Sequence, residues 1–148
     1  MGLLRARLHR RLEKADSHDR YRLLYPYIPG LEKPRLLNVH SKVLIADDEL
    51  CSVGSANFNN RSMGFDTECN IAIEARGDER IRSAISGLRN RLLAEHLATD
   101  AQSVAAETAR QSGSIVRAIE ALKRPGRTLQ PIDPVVSAED DALLPAHA

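Results

Sequence analysis

The chain has 148 residues, 43% hydrophobic and 28% charged, with 21 basic and 20 acidic side chains and a net charge of +1. That length allows one domain or part of one, and the near-zero charge argues against a binder that grips nucleic acid by electrostatics alone. Two cysteines, Cys51 and Cys69, are too few for a disulfide scaffold, and no run approaches the roughly 18 apolar residues of a membrane-spanning helix.

Leu3, Leu4, Leu8 and Leu12 recur at helical spacing and predict a helix over residues 2–15. Arg5, Arg7, Arg10 and Arg11 read as its solvated face rather than as a membrane contact. No continuous apolar core follows these charges, as a signal peptide requires, so the sequence places the chain in the cytoplasm, with at most peripheral contact at the inner membrane. Arg20 to Ile28, rich in Tyr and Leu, predicts a strand, with Tyr25 and Tyr27 as packing residues around Pro26. Pro29-Gly30 marks a turn, and Glu32-Lys33-Pro34 lengthens the loop.

Leu36 to Ala46 predicts a second strand, Asp47-Asp48-Glu49 a hairpin turn, and Leu50 to Gly54 the returning strand. Ser55 to Asp66 reads as a loop dense in Asn, Ser and Gly. Glu68 to Ala75 alternates as a fourth strand. A helix follows over Asp78 to Leu97, with Gly77 and Asp78 as stop and cap and Ile81, Ile85, Leu88, Leu92 and Leu93 as its apolar stripe. After a short polar linker, residues 112–123 predict a last helix that buries Ile115, Ile119 and Leu122. Pro131, Pro134 and Pro145 stand among acids and small residues, so residues 124–148 are expected to form a disordered tail after one unit over 1–123. There is no internal repeat.

The chemistry gathers between His40 and Asn57. Strand alternation puts His40 and Lys42 on one face. A neutral imidazole can attack phosphorus and divide one hard displacement into two easier ones. The Lys42 ammonium favours that neutral form and stabilises negative charge on phosphoryl oxygens. Ser55 and Asn57 offer directed hydrogen bonds in a dry pocket, and Gly54 removes a side chain where backbone and phosphate approach. Asp47 reads as a turn-forming acid whose carboxylate bonds backbone amides. Arg61 suits either a phosphate contact or an ion pair with Asp66. His96, in the last turn of its helix, suits the dipole as a cation. Cys51 and Cys69 read as free thiols in strands, with a bridge between neighbouring strands left open.

His40-x-Lys42, Asp47 and Gly54-Ser55-x-Asn57 match the HxKxxxxDxxxxxxGSxN signature, so the chain resembles the phospholipase D superfamily. Arg22 to Ile28, Asn57 to Ile73 and Arg91 to His96 extend the likeness, which spans about Leu3 to Leu122 and points to the C-terminal half of a bacterial, cardiolipin synthase-like member. The resemblance implies an α/β fold: one half, with an incomplete sheet, of an α/β/α sandwich pair whose motifs meet across one active site. It implies phosphodiester hydrolysis or transfer on glycerophospholipids through a phosphohistidine, with no metal and no cofactor. His40 would be the nucleophile or the general acid. Lys42, Ser55 and Asn57 would bind phosphate, Glu68 would orient the histidine, and Asp47 would be a motif residue of mainly structural purpose. A second motif is missing: His9, His18, His96 and His147 lack a lysine two positions on. The second half would be a missing N-terminal segment, the favoured reading, or a second copy in a homodimer. The alternatives are a homodimeric nuclease of the same family, which the neutral charge disfavours, and an inactive fragment.

Overall fold

The computed structural model describes residues 2–31 and 37–132. Helix α1 (Gly2–Ala15) leads into strand β1 (Leu24–Tyr27), then into the hairpin of β2 (Lys42–Ala46) and β3 (Leu50–Gly54). A short helix, α2 (Asn60–Gly64), precedes β4 (Asn70–Glu74). Helices α3 (Glu79–Leu97), α4 (Ala101–Arg110) and α5 (Ile115–Leu122) follow, and β5 (Thr128–Pro131) closes the described chain. The class is mixed α/β, as the sequence implied.

Two small antiparallel sheets result: β2-β3-β4 and β1-β5. In the larger sheet, Lys42 pairs with Gly54 and Ile45 with Cys51, while Cys51 pairs with Ile73 and Gly54 with Asn70. Cross-strand partners share a face. Val43, Ile45, Cys51, Val53, Ile71 and Ile73 therefore line one side. Helix α3 covers only the hairpin end of that side, packing Ile81, Ile85 and Leu88 against Cys51, Ile45 and Ala75. Arg82 ties the same helix to the hairpin through an ion pair with Glu49. The Arg89 guanidinium also donates to the Asp47 carbonyl at 3.3 Å.

A second core lies at the other end of α3. Ala94 and Leu97 pack with Val104 of α4, Ile119 and Leu122 of α5, and Leu129 of β5, with Leu24, Leu93 and Ile115 around them. This core overturns the start of the expected tail. Thr128–Pro131 pairs with Leu24–Tyr27, Tyr25 donates to Gln130 at 2.8 Å, and Leu129 is buried. Pairing across about a hundred residues leaves no local mark in composition. Pro26 is tolerated because β1 has a neighbour on one side only. The rest of the tail, 133–148, lies outside the described residues.

Other boundaries moved for identifiable reasons. The expected polar linker holds α4, capped by Asp100, whose carboxylate accepts from the Ser103 N–H at 2.8 Å and from its hydroxyl at 2.7 Å. Ala98, in the left-handed region at φ 51°, separates α3 from α4. The strand expected from Leu36 begins at Lys42, because β3 turns away after Gly54 and offers nothing further to pair with; Leu36 itself lies outside the described residues. Arg20 and Tyr21, expected in a strand, instead give their N–H groups to the Asp16 carboxylate, at 2.8–3.0 Å. Leu92 is 39% exposed rather than part of the buried stripe. In α1, Leu8 and Leu12 face solvent, while Ala6 and His9 are buried. Among the described residues no helix is long and apolar enough to cross a membrane.

Candidate functional site

The motif residues gather at the end of the larger sheet that α3 does not cover. Lys42 opens β2 directly across from Gly54, the last residue of β3. His40 precedes the strand, yet its ring meets Lys42. The ammonium Nζ lies 3.0 Å from Nδ1 and 3.3 Å from Nε2, and donates to the His40 carbonyl at 2.7 Å.

Gly54 leads into the loop after β3, and three bonds fix that loop to the start of β4. The Ser55 N–H donates to the Cys69 carbonyl at 3.0 Å, the Cys69 N–H donates back to Ser55 Oγ at 3.0 Å, and the Ala56 N–H donates to Asn70 Oδ1 at 3.3 Å. The glycine at 54 follows from this crossing. A Cβ there would overlap Asn70 Oδ1 and the Cys69 carbonyl.

Glu68 sits beside this loop. Ser55 Oγ donates to its Oε2 at 2.6 Å. That bond, then one from the Ser62 hydroxyl, then the Lys42 charge hold the Glu68 carboxyl below its ordinary pKa. The carboxylate thus engages the Ser55 hydroxyl, whereas the imidazole of His40 engages Lys42. Asn57 lies on the exposed loop, its carbonyl accepting the Asn59 N–H at 2.9 Å. Asp47 is at the far end of the hairpin in the left-handed region, φ 52°, a conformation aspartate tolerates better than most residues. The structure therefore brings His40, Lys42, Ser55 and Glu68 to one end of the sheet and puts Asp47 at the other.

Ser62 carries no signature in the spacing of the motif. A signal existed in Asn59, three residues earlier: Asn59 Oδ1 caps α2 by accepting the Ser62 N–H at 2.9 Å. Arg61 pairs with Asp66 at 2.8 Å, so the ion-pair reading describes it. His96 departs from its expected role as a dipole-facing cation. Burial, then the nearby Arg127 charge, lower its pKa, and its buried Nδ1 has no hydrogen-bond partner among the described residues. Cys51 and Cys69 are both free thiols, the first buried and the second exposed. Among the described residues no group of three or more His, Cys, Asp or Glu is placed to hold a metal ion.

His40, Ser55 and Asn57 are exposed. Apolar side chains open to solvent follow Asn57 in the chain, Phe58 at 94%, Met63 at 69% and Phe65 at 88%, while the exposed Val43, Val53 and Ile71 lie on the side of the sheet opposite to Lys42.

Comparison with known proteins matches residues 22–123 to the phospholipase D family model. Phospholipase D1 of Saccharomyces cerevisiae is 40% identical over a match covering 43% of this chain and 4% of that protein. Phospholipase D alpha 1 of Nicotiana tabacum is 41% identical over 48% of this chain and 10% of that protein. Human phospholipase D1 is 42% identical over 35% and 5%. The chain spans a tenth or less of the length of these relatives, and no solved structure matches it. With residues 22–123, more than half of its length, matched, the chain belongs to the phospholipase D family.

Proposed function

We propose that the chain supplies one half of an active site that cleaves or exchanges the head group of a glycerophospholipid. The observation that carries this reading is the grouping at the sheet end: His40 on Lys42, Lys42 across from Gly54, and Ser55 on Glu68. An imidazole nitrogen attacks phosphorus, a P–N bond forms, and the P–O bond to the head group breaks. A second imidazole gives its proton to the leaving oxygen. That imidazole then takes a proton from water or an alcohol, whose oxygen attacks phosphorus and displaces the nitrogen. Water gives hydrolysis, and an alcohol gives phosphatidyl transfer. His40 takes one of the two imidazole roles.

The other role belongs to a second motif-bearing half, from a longer polypeptide or a second copy of the chain. The apolar surface around the motif supports this. Phe58, Met63 and Phe65, on the segment that follows Asn57, are exposed apolar side chains of the kind that marks a covered interface. Covering it would dry the site, where Lys42 and the loop donors act most strongly on phosphoryl charge. Lys42 would then exchange its bond to His40 for one to a phosphoryl oxygen, freeing the ring nitrogen.

The test combines the chain with a segment carrying a second motif, or with itself at high concentration, on vesicles labelled at phosphorus. Turnover is expected together with a base-stable, acid-labile phosphorus adduct on histidine. Loss of turnover in both His40→Ala and Lys42→Ala supports the reading. Turnover that survives His40→Ala removes this residue from the chemistry.

A further inference from the structure

One row of the larger sheet carries a polar side chain that the motif does not include. Lys42 pairs with Gly54, and Gly54 pairs with Asn70. Partners in register share a face. The Lys42 and Asn70 side chains therefore stand on one side of the sheet, with Gly54 between them. Neighbouring strands run about 4.8 Å apart, so the two outer backbones lie about 10 Å from one another.

Asn70 reaches into this gap. Its Oδ1 and Cγ occupy the space that a Cβ on Gly54 would fill, so the carboxamide folds over the middle strand, toward the Lys42 side. Its orientation follows from chemistry. The Ala56 N–H donates to Oδ1 at 3.3 Å, and an N–H can face only the oxygen end of an amide. The other end, Nδ2, carries two hydrogens. Among the described residues Nδ2 has no hydrogen-bond partner, and Asn70 is exposed.

We propose that Asn70 is a further substrate-contacting residue, whose Nδ2 donates to an oxygen of the same phosphoryl group that Lys42 holds from the other side of Gly54. The ammonium supplies charge, and the amide, held by its oxygen end, supplies an aimed donor. Both act more strongly once the face is covered. The contact rests on the phosphate role given to Lys42 above and adds to it a donor from β4.

The test follows the full chain by nuclear magnetic resonance as inorganic phosphate is added. It reads the side-chain N–H2 signals of Asn70 and the backbone amide signals of Lys42 and Ser55. The Asn70 signals are expected to move and to saturate with the others. Two variants separate the donor from its surroundings. Asn70→Asp keeps an acceptor for the Ala56 N–H, but removes the N–H2 group and adds charge. Asn70→Ala removes the donor and adds no charge. Both are expected to weaken phosphate binding about tenfold, the scale of one hydrogen bond to a charged group. Asn70 N–H2 signals that stay still while those of Lys42 or Ser55 saturate overturn the contact, and this readout needs no variant to fold. Weakening in Asn70→Asp alone makes the effect one of charge, and weakening in Asn70→Ala alone makes it one of loop anchoring; either result overturns the donor. Phosphate that moves none of these signals overturns the phosphate role of Lys42 together with the contact.

Discussion

Ser55 donates its hydroxyl hydrogen to Glu68 at 2.6 Å and in the same place accepts the N–H of Cys69 at 3.0 Å. One side chain thus joins the loop after β3 to the acid before β4. Because the Ser55 hydroxyl favours the ionised form, the Glu68 carboxyl titrates below the ordinary range in the folded chain. A depressed folded pKa stabilises the fold above the unfolded value and loses that contribution as pH falls through it toward the folded one. Urea midpoints are therefore expected to drop between about pH 5 and 3. The drop should be smaller in Ser55→Ala, and equal slopes would show that this bond carries no linkage.

Gly54 is expected to tolerate no side chain. Gly54→Ala puts a methyl group onto Asn70 Oδ1 and the Cys69 carbonyl. The backbone must shift, at a cost of about 1–3 kcal/mol for an overpacked position. Adding Asn70→Ala should recover part of the loss, since it removes one of the two overlapping groups and leaves the carbonyl. Thermal unfolding of the single and double variants checks this, and full recovery would show that the carbonyl is free to move.

Much of this region was legible in the chain, and the reasons differ by residue. The hairpin from Lys42 to Gly54 forms as its alternation indicates, because both strands are adjacent in sequence and the turn between them is short. His40 lies before the strand, so its contact with Lys42 at 3.0 Å does not come from strand alternation. The Ser55–Glu68 bond does not follow from spacing either, because a downstream acid can orient a hydroxyl as readily as an imidazole, and only the register of Gly54 with Asn70 decides which. The same limit hid β5, whose partner Leu24–Tyr27 lies far upstream, and α4, whose alanines and serines look like a linker until Asp100 is seen to cap them.

Leu129 offers a direct check on β5. It is 7% exposed and packs with Leu97, Leu122 and Ile119. Leu129→Ala is expected to cost about 2–5 kcal/mol, the range for truncating a buried leucine. A chain ending at residue 123 should lose at least as much, and one ending at 132 should keep its stability. Denaturant midpoints of the three decide it: an unaffected chain at 123 would place β5 outside the cooperative unit.

His96 is expected to make the helical core sensitive to mild acid. Burial, then the Arg127 charge, lower its folded pKa below the ordinary histidine value. The unfolded chain therefore takes the proton first, and stability falls as pH drops through about 6.5. Melting temperatures should decline from about pH 7.5 to 5.5 in the unaltered chain, and less in His96→Gln. Parallel curves would assign the decline to another group.

Asn57 is expected to matter for turnover and not for folding. It is exposed on the loop after Ser55. In an assembly with its second half, Asn57→Ala should lower kcat by about 10²–10³-fold, as for loss of one preorganised donor, with an unchanged melting temperature. A large loss of stability would make it a structural residue instead.

Among the described residues strand β4 has a ladder on its β3 side only, and its Ile71 and Ile73 are 70% and 50% exposed. A bare strand rimmed by isoleucines invites stacking with identical neighbours. Produced by itself, such a polypeptide should grow turbid as it is concentrated. Yield in the clear fraction should rise when the segment that shields this flank is made in the same cell.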